Sequence, residues 1–224
     1  MKNKKDISFI LPTNRDTLEF SSKVIDNINS LNFHGKTHEI IVVSPNVIHG
    51  DNVRYVPEDE INIGCVNAYN EGYKISTGDY IFLCSDDHYF DSNSPLITKV
   101  LESRLFENRK YKIVCLPTNR HEACKLPEYT NCDSIIARYP VFHRETIEKY
   151  LGGYVYHPGF KHHYPDNWLG FWLARQGEPT IEINRFDMVT FSNSCDKRHD
   201  SHDEKVFKEL IKNYDSNSKE YVAS

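Results

Sequence analysis

Two adjacent carboxylates, Asp86 and Asp87, end a short apolar run, Tyr80 to Cys84, that Gly78-Asp79 opens. Neighbouring anions repel unless something cationic joins them, and hard oxygen ligands of this kind suit Mg²⁺ or Mn²⁺ carrying a phosphate. The competing reading is a solvated Asp-Asp turn leading into the next helix, a common use of such pairs. A second polar group, Pro12-Thr13-Asn14-Arg15, follows another apolar run and offers a hydroxyl, an amide and a guanidinium. Such a loop can hold a nucleotide, or it can be an ordinary turn between a strand and a helix. His121, Cys124 and Cys132 match no standard zinc spacing and read as loop residues.

The flanking segments alternate between strand and helix patterns. Ile7 to Leu11 reads as a strand, and Asp16 with Glu19 makes a capping pattern for a helix whose stripe is Phe20, Val24, Ile28 and Leu31. Glu39 to Val43 and Val53 to Val56 read as strands, and Asn62 to Tyr73 as a helix in which Gly72 permits close packing on a sheet. Tyr80 to Cys84 reads as a strand buried on both faces, so Asp86 and Asp87 fall beyond its carboxyl end, where open α/β sheets bind ligands. Further on come a helix opened by Ser94-Pro95, strands at Tyr111 to Leu116 and Ser134 to Phe142, and a helix from Glu145 to Leu151. Asp166 begins a helix with Trp168, Leu169, Trp172 and Leu173 on its apolar side, stopped by Gly177. Thr180 to Ile183 and Met188 to Phe191 read as closing strands before a last amphipathic helix from about Asp203. The long polar stretch from Pro117 to Asp133 is expected to be a binding loop or an acceptor-side insertion.

These patterns predict an α/β fold with a mixed, mostly parallel central sheet flanked by helices. One domain is expected over 1–214, with a disordered tail over 215–224. The 224 residues include 14 Tyr and 12 Phe, enough for a packed core, and the net charge of −5 argues against a general nucleic-acid surface. Small molecules are the expected partners. No apolar run approaches the roughly 20 residues needed to cross a bilayer, and six scattered cysteines without paired spacing suit a reduced, cytoplasmic setting.

Taken in order, the segments resemble the nucleotide-sugar glycosyltransferases of the GT-A (Rossmann-like) fold, family 2 type. Ile7 to Arg15 looks like that family's opening strand and nucleotide loop, and Ala68-Tyr69-Asn70-Glu71-Gly72 is similar to its Ala-Arg-Asn-x-Gly helix. Ser85-Asp86-Asp87 falls where the family keeps its acidic metal motif. Asp166, with Gly177 eleven residues on, is similar to the helix that carries its catalytic base. Ser44-Pro45-Asn46 stands where an acidic loop is usual, Tyr69 where Arg is common, and Pro165 where the family has Glu. The Gln-x-x-Arg-Trp motif of processive members is absent.

The resemblance implies metal-dependent transfer of a sugar from a nucleotide-diphosphate sugar to a hydroxyl acceptor (a glycan, lipid-linked glycan or protein), with inversion and one addition at a time. It implies a nucleotide-binding half to about residue 110 and an acceptor-binding half beyond it, with a donor site at Pro12, Thr13, Asn14, Arg15, Ser44, Gly64, Asn67 and Asp86. It also implies a Mn²⁺ or Mg²⁺ held by Asp86 and Asp87, and Asp166 as general base. A plain helix N-cap is the alternative role for Asp166. His199 could close over the diphosphate as an imidazole ligand, with a solvated loop histidine as the alternative; His202 lies too near the last helix to be preferred. Two other enzyme or binding readings remain. A nucleotidyltransferase making a nucleotide-sugar would be expected to show a Gly-rich loop after the first strand, and Pro12 to Arg15 has no glycine. A catalytically inactive sugar- or nucleotide-binding protein would share every motif.

Overall fold

The structure is a computed structural model that describes residues 4–14, 18–58, 64–91, 95–102, 106, 109–116, 137, 139–177, 188–190, 200–214 and 220–222. Strand β1 (Ile7–Pro12) is buried along its first five residues and pairs in parallel on both sides, with β2 (His38–Ser44) and β4 (Tyr80–Leu83). A strand enclosed by neighbours and covered on both faces has no polar side to offer, which is why Phe9-Ile10-Leu11 is continuously apolar. β3 (Val53–Pro57) adds in parallel outside β2. On the other side β7 (Pro140–His143) runs antiparallel to β4 and to the edge strand β6 (Ile113–Cys115), giving the order β3-β2-β1-β4-β7-β6. The four parallel strands therefore end at one edge of the sheet.

Helices cover both faces. α1 (Leu18–Asn29) and α3 (Leu96–Glu102) pack Val24, Ile28, Leu96 and Val100 against Phe9, Ile40 and Phe82 on one side. On the other, α2 (Cys65–Ile75), α4 (Arg144–Tyr150), α5 (Pro165–Arg175) and α6 (Asp200–Asn213) bring Val66, Ile147, Trp168, Trp172 and Phe207 into one core with Ile10, Ile81 and Phe142. Gly72 lies where α2 crosses the sheet: a Cβ there would stand 2.5 Å from Ile10 Cγ2 and 3.2 Å from Val43 Cγ2, so only glycine admits this approach. The six-stranded mixed sheet flanked by helices matches the expected fold class.

Four details differ from expectation. Phe20 is 38% exposed, because Val24, Ile28 and Leu31 already complete the inward stripe of α1. The chain after the acid pair forms β5 (His88–Phe90), which pairs antiparallel with β8 (Met188–Thr190) in a small second sheet. β7 begins at Pro140, later than the expected strand start. Tyr221, in the stretch expected to be disordered, is 1% exposed against Trp172 and accepts, through its carbonyl, a bond from Trp168 Nε1 at 3.3 Å. The expected strand at Thr180 to Ile183, the Asp16 cap and the loop from Pro117 to Asp133 lie outside the described residues.

The amino end of the sheet is locked by Glu39, 2% exposed. Its Oε1 accepts from Ser8 Oγ (2.7 Å), Thr77 N (2.6 Å) and Thr77 Oγ1 (2.8 Å), and its Oε2 accepts from Arg54 Nη1 at 2.6 Å. Burial alone would raise this carboxyl's pKa, but the bonds from Arg54, Ser8 and Thr77 outweigh it and hold it below the ordinary 4.5. Its stabilising effect is therefore complete above about pH 4.5 and is lost as the pH falls through the lowered folded value. Glu39→Gln is expected to lower stability at neutral pH by about 2 kcal/mol and to flatten the acid limb of urea midpoint against pH. An unchanged acid limb would contradict this role.

Candidate functional site

The carboxyl edge of the parallel strands extends past the strands themselves. Cys84 N donates to Ile10 O at 2.9 Å, and Thr13 N donates to Val43 O at 3.0 Å, so the chain leaving β4 and the chain leaving β1 stay side by side. That places Thr13 Oγ1 to donate to Asp86 Oδ2 at 2.6 Å. Ser85 Oγ donates to Asp87 Oδ1 at 2.6 Å, and His88 Nδ1 approaches the same oxygen at 3.0 Å without hydrogen-bond alignment. Asp86 and Asp87 are only 8% and 9% exposed, and His88, at 3%, lies against the Tyr139 ring. The pair is thus not a solvated turn. Two adjacent carboxylates withdrawn from water are an arrangement that proteins keep where charge is matched by partners or by a ligand.

Each residue of Ala68-Tyr69-Asn70-Glu71-Gly72 has a physical task except the solvent-side Glu71, which pairs with Lys74. Ala68 packs on Ile41 and Val43 of β2. Tyr69 Oη donates to Cys84 O at 2.6 Å, pinning the chain just before the acid pair. Asn70, 4% exposed, accepts from Val155 N (3.0 Å) and Tyr156 N (3.2 Å) and donates to Tyr156 O (3.0 Å). Gly64 precedes the helix at φ +103°, and a Cβ there would collide with Lys161 O at 2.1 Å. Val66 N donates to that same carbonyl at 3.1 Å. Two approaches therefore seat the start of α2 against residue 161.

Residues 161–163 are held by Asp203 from the first turn of α6. This carboxylate, fully buried, accepts from Lys161 N (2.8 Å), His162 N (2.8 Å) and His163 N (2.7 Å). The chain then turns through Tyr164, left-handed at φ 65°, into Pro165 and Asp166. Tyr164 is the N-cap, so Asp166 sits inside the first turn and is not the cap; its Oδ1 accepts from Asn167 N at 2.9 Å. Burial first, then the charges of Asp203 and Asp166, push the Cys65 thiol up to about 12, so it stays protonated. Burial and then Asp166 likewise raise Tyr156. The Tyr156 ring meets Tyr69 edge-on at 5.5 Å, so packed side chains run from Cys84 to the neighbourhood of Asp166.

Among the described residues no three His, Cys, Asp or Glu side chains gather as a ready metal shell. Asp86 and Asp87 are nonetheless a two-carboxylate, all-oxygen donor set, which fits Mn²⁺ or Mg²⁺ completed by phosphate and water. No family model matches the sequence, and no curated protein matches it. Solved structures do. S. aureus TarS (residues 1–349) in complex with UDP superposes with a TM-score of 0.63 over 96% of this chain and 68% of that one, at 9% identity. Mannosyltransferase PcManGT from Pyrobaculum calidifontis, in complex with GDP-Man and Mn²⁺, gives 0.62 over 97% and 67%, at 14% identity. The chain has a GT-A glycosyltransferase fold. At such identities the likeness is one of fold.

On this GT-A sheet the sequence candidates fall as follows. Pro12 ends β1, Thr13 is buried against Asp86, and Asn14 is exposed beside them. Ser44 is fully buried, and its Oγ accepts from Asn46 N at 3.1 Å, so its hydroxyl shapes the turn after β2. Asn67 lies half-buried in the first turn of α2. Arg15 and His199 are outside the described residues. His202 Nε2 lies 3.2 Å from Gly159 O. His157 is 6% exposed between Phe160, Trp168 and Tyr221, and burial pushes it down to about 4. Sequence reasoning missed Asp203, His88 and the Tyr69 tether. An isolated Asp near a helix start and a His after two Asp carry no periodic signal. The replacement of Arg by Tyr at 69 was the one visible sign.

Proposed function

We propose that the protein transfers a sugar from a nucleotide-diphosphate sugar to a hydroxyl acceptor, singly and with inversion of the anomeric configuration. The observation that carries this is the acid pair, withdrawn from water at the carboxyl edge of β4 and tied to the loop after β1 through Thr13 and Asp86. In this reading Pro12, Thr13, Asn14 and Arg15 line the donor together with Ser44, Gly64 and Asn67. Asp86 and Asp87, with His199, would hold a divalent ion, which when bound neutralises negative charge on the departing diphosphate.

The chain's own part is positioning and proton transfer. Thr13 fixes the Asp86 carboxylate, and Ser85 fixes that of Asp87. The acceptor oxygen forms a bond to the anomeric carbon as the bond from that carbon to the diphosphate oxygen breaks, its electron pair leaving with the diphosphate. The acceptor proton passes to the Asp166 carboxylate, since a hydroxyl is a poor nucleophile until it loses that proton. A single in-line displacement inverts the configuration. Among the described residues no helix is long and apolar enough to cross a membrane, which with the missing Gln-x-x-Arg-Trp motif favours a non-processive enzyme acting in the cytoplasm.

Incubation with a panel of UDP-, GDP-, ADP- and CDP-sugars and Mn²⁺ tests the reading. Release of nucleoside diphosphate from at least one donor, stimulated by an added hydroxyl acceptor, is the expected result. Neither binding nor turnover of any donor would overturn it.

A further inference from the structure

Strand β3 ends at Pro57, but its pairing continues for one more residue: Glu58 N donates to Ser44 O at 3.0 Å. Thr13 and the chain before Asp86 extend β1 and β4 in the same way, so Glu58, Ser44, Thr13 and Asp86 form a row along one edge of the sheet. Glu58 stands at the end farthest from the acid pair. Three strand steps of about 4.8 Å separate β3 from β4, roughly 14 Å in all. A nucleoside diphosphate laid along the edge, with its phosphates at Asp86 and Asp87, covers about that distance.

The Glu58 side chain is half-buried, and among the described residues its carboxylate has no hydrogen bond and no ion pair. Burial raises its pKa above the ordinary Glu value, and its charge also reaches Cys65 at the start of α2. Glu39, a carboxylate on the neighbouring strand β2, is by contrast fully engaged. A partly desolvated acceptor with no donor gains most when a ligand brings an N–H to it.

We infer that Glu58 reads the nucleobase of the donor, its carboxylate accepting the ring N–H of guanine or uracil. Adenine and cytosine carry an acceptor nitrogen at that ring position and would meet the carboxylate unfavourably. The inference rests on the nucleotide-diphosphate reading of the site. A site built around one hydrogen bond discriminates strongly against a ligand that lacks the matching donor.

The test is calorimetric titration of wild type and Glu58→Gln with UDP, GDP, ADP and CDP in Mn²⁺, with thermal melting as the check that both proteins are folded. Wild type should favour UDP or GDP. Glu58→Gln should weaken that nucleotide by about tenfold or more, since a bond to a charged group is replaced by one to an amide, and should leave ADP and CDP unchanged or bound more tightly, since the amide no longer repels their acceptor nitrogen. Whichever of UDP and GDP loses affinity identifies the base. An unchanged order and strength in Glu58→Gln, or an equal loss for all four nucleotides, would overturn the role of Glu58 while leaving the nucleotide site standing. Absence of binding by the wild type to all four would overturn both.

Discussion

Asp166→Asn is expected to lower kcat by about 10²- to 10⁴-fold while donor affinity stays within about twofold, a loss of roughly 3 to 5 kcal/mol of transition-state stabilisation. The substitution keeps size and keeps an oxygen to accept from Asn167 N, as Asp166 Oδ1 does at 2.9 Å. It removes only the ability to take a proton near neutral pH. Because Tyr164 occupies the N-cap, no capping bond is at stake. One structural effect is loss of a negative charge in the first turn of α5, about 0.3 to 1 kcal/mol. A purely structural Asp166 would therefore leave kcat near wild type with a small drop in melting temperature. That outcome would remove Asp166 from the chemistry and direct the search to Glu122, Glu128 and Asp133.

Asp203→Ala is expected to cost about 4 kcal/mol of stability. Three consecutive N–H groups, those of Lys161, His162 and His163, would lose an ionised acceptor at a fully buried position. Bonds to charged groups contribute about 1.5 to 3 kcal/mol each, and entering water can replace only part of them. Asp203→Asn, which presents one acceptor oxygen where the carboxylate has two, should fall between wild type and Ala. Urea unfolding at pH 7 gives the three values directly. A loss below 1 kcal/mol for Ala would mean that residues 161–163 do not depend on α6. Since Lys161 O also seats Gly64 and Val66, the expected loss extends to the start of α2.

The parts of this fold that the sequence announces are those governed by periodic burial. Ile7 to Leu11, Glu39 to Val43 and Tyr80 to Cys84 are apolar because each is enclosed on both faces, and their order with the intervening helices specifies an α/β sheet. Asp86 and Asp87 mark the end of such a strand, but the pattern alone also admits a solvated turn; their burial and the bond from Thr13 Oγ1 set that reading aside. Gly72 could be read as a contact glycine, and the structure places Ile10 and Val43 where its side chain would be. Contacts between distant segments leave no such trace. Asp203 meets residues about 40 positions away, and Tyr69 reaches the backbone of Cys84 across the sheet. The β5–β8 pairing likewise joins segments about 100 positions apart: Met188 to Phe191 reads as a strand, but β5 is too short for a pattern to show and nothing in either segment names its partner. Phe20 misleads in the opposite sense: it keeps helical spacing with Val24 and Ile28, yet it is 38% exposed while they are fully buried.

The central claim is that Asp86 and Asp87 hold a divalent ion that carries the diphosphate of the donor. Titration calorimetry of the preferred nucleoside diphosphate, with Mn²⁺ and with excess EDTA, on wild type and Asp87→Asn tests it most directly. The asparagine preserves shape and the bond from Ser85 Oγ, so the fold should stay intact. Wild type should bind at least tenfold more tightly with Mn²⁺ than without, and Asp87→Asn should bind equally weakly in both, a difference of about 1.4 kcal/mol or more. Mn²⁺-dependent binding that survives undiminished in Asp87→Asn would contradict the assignment.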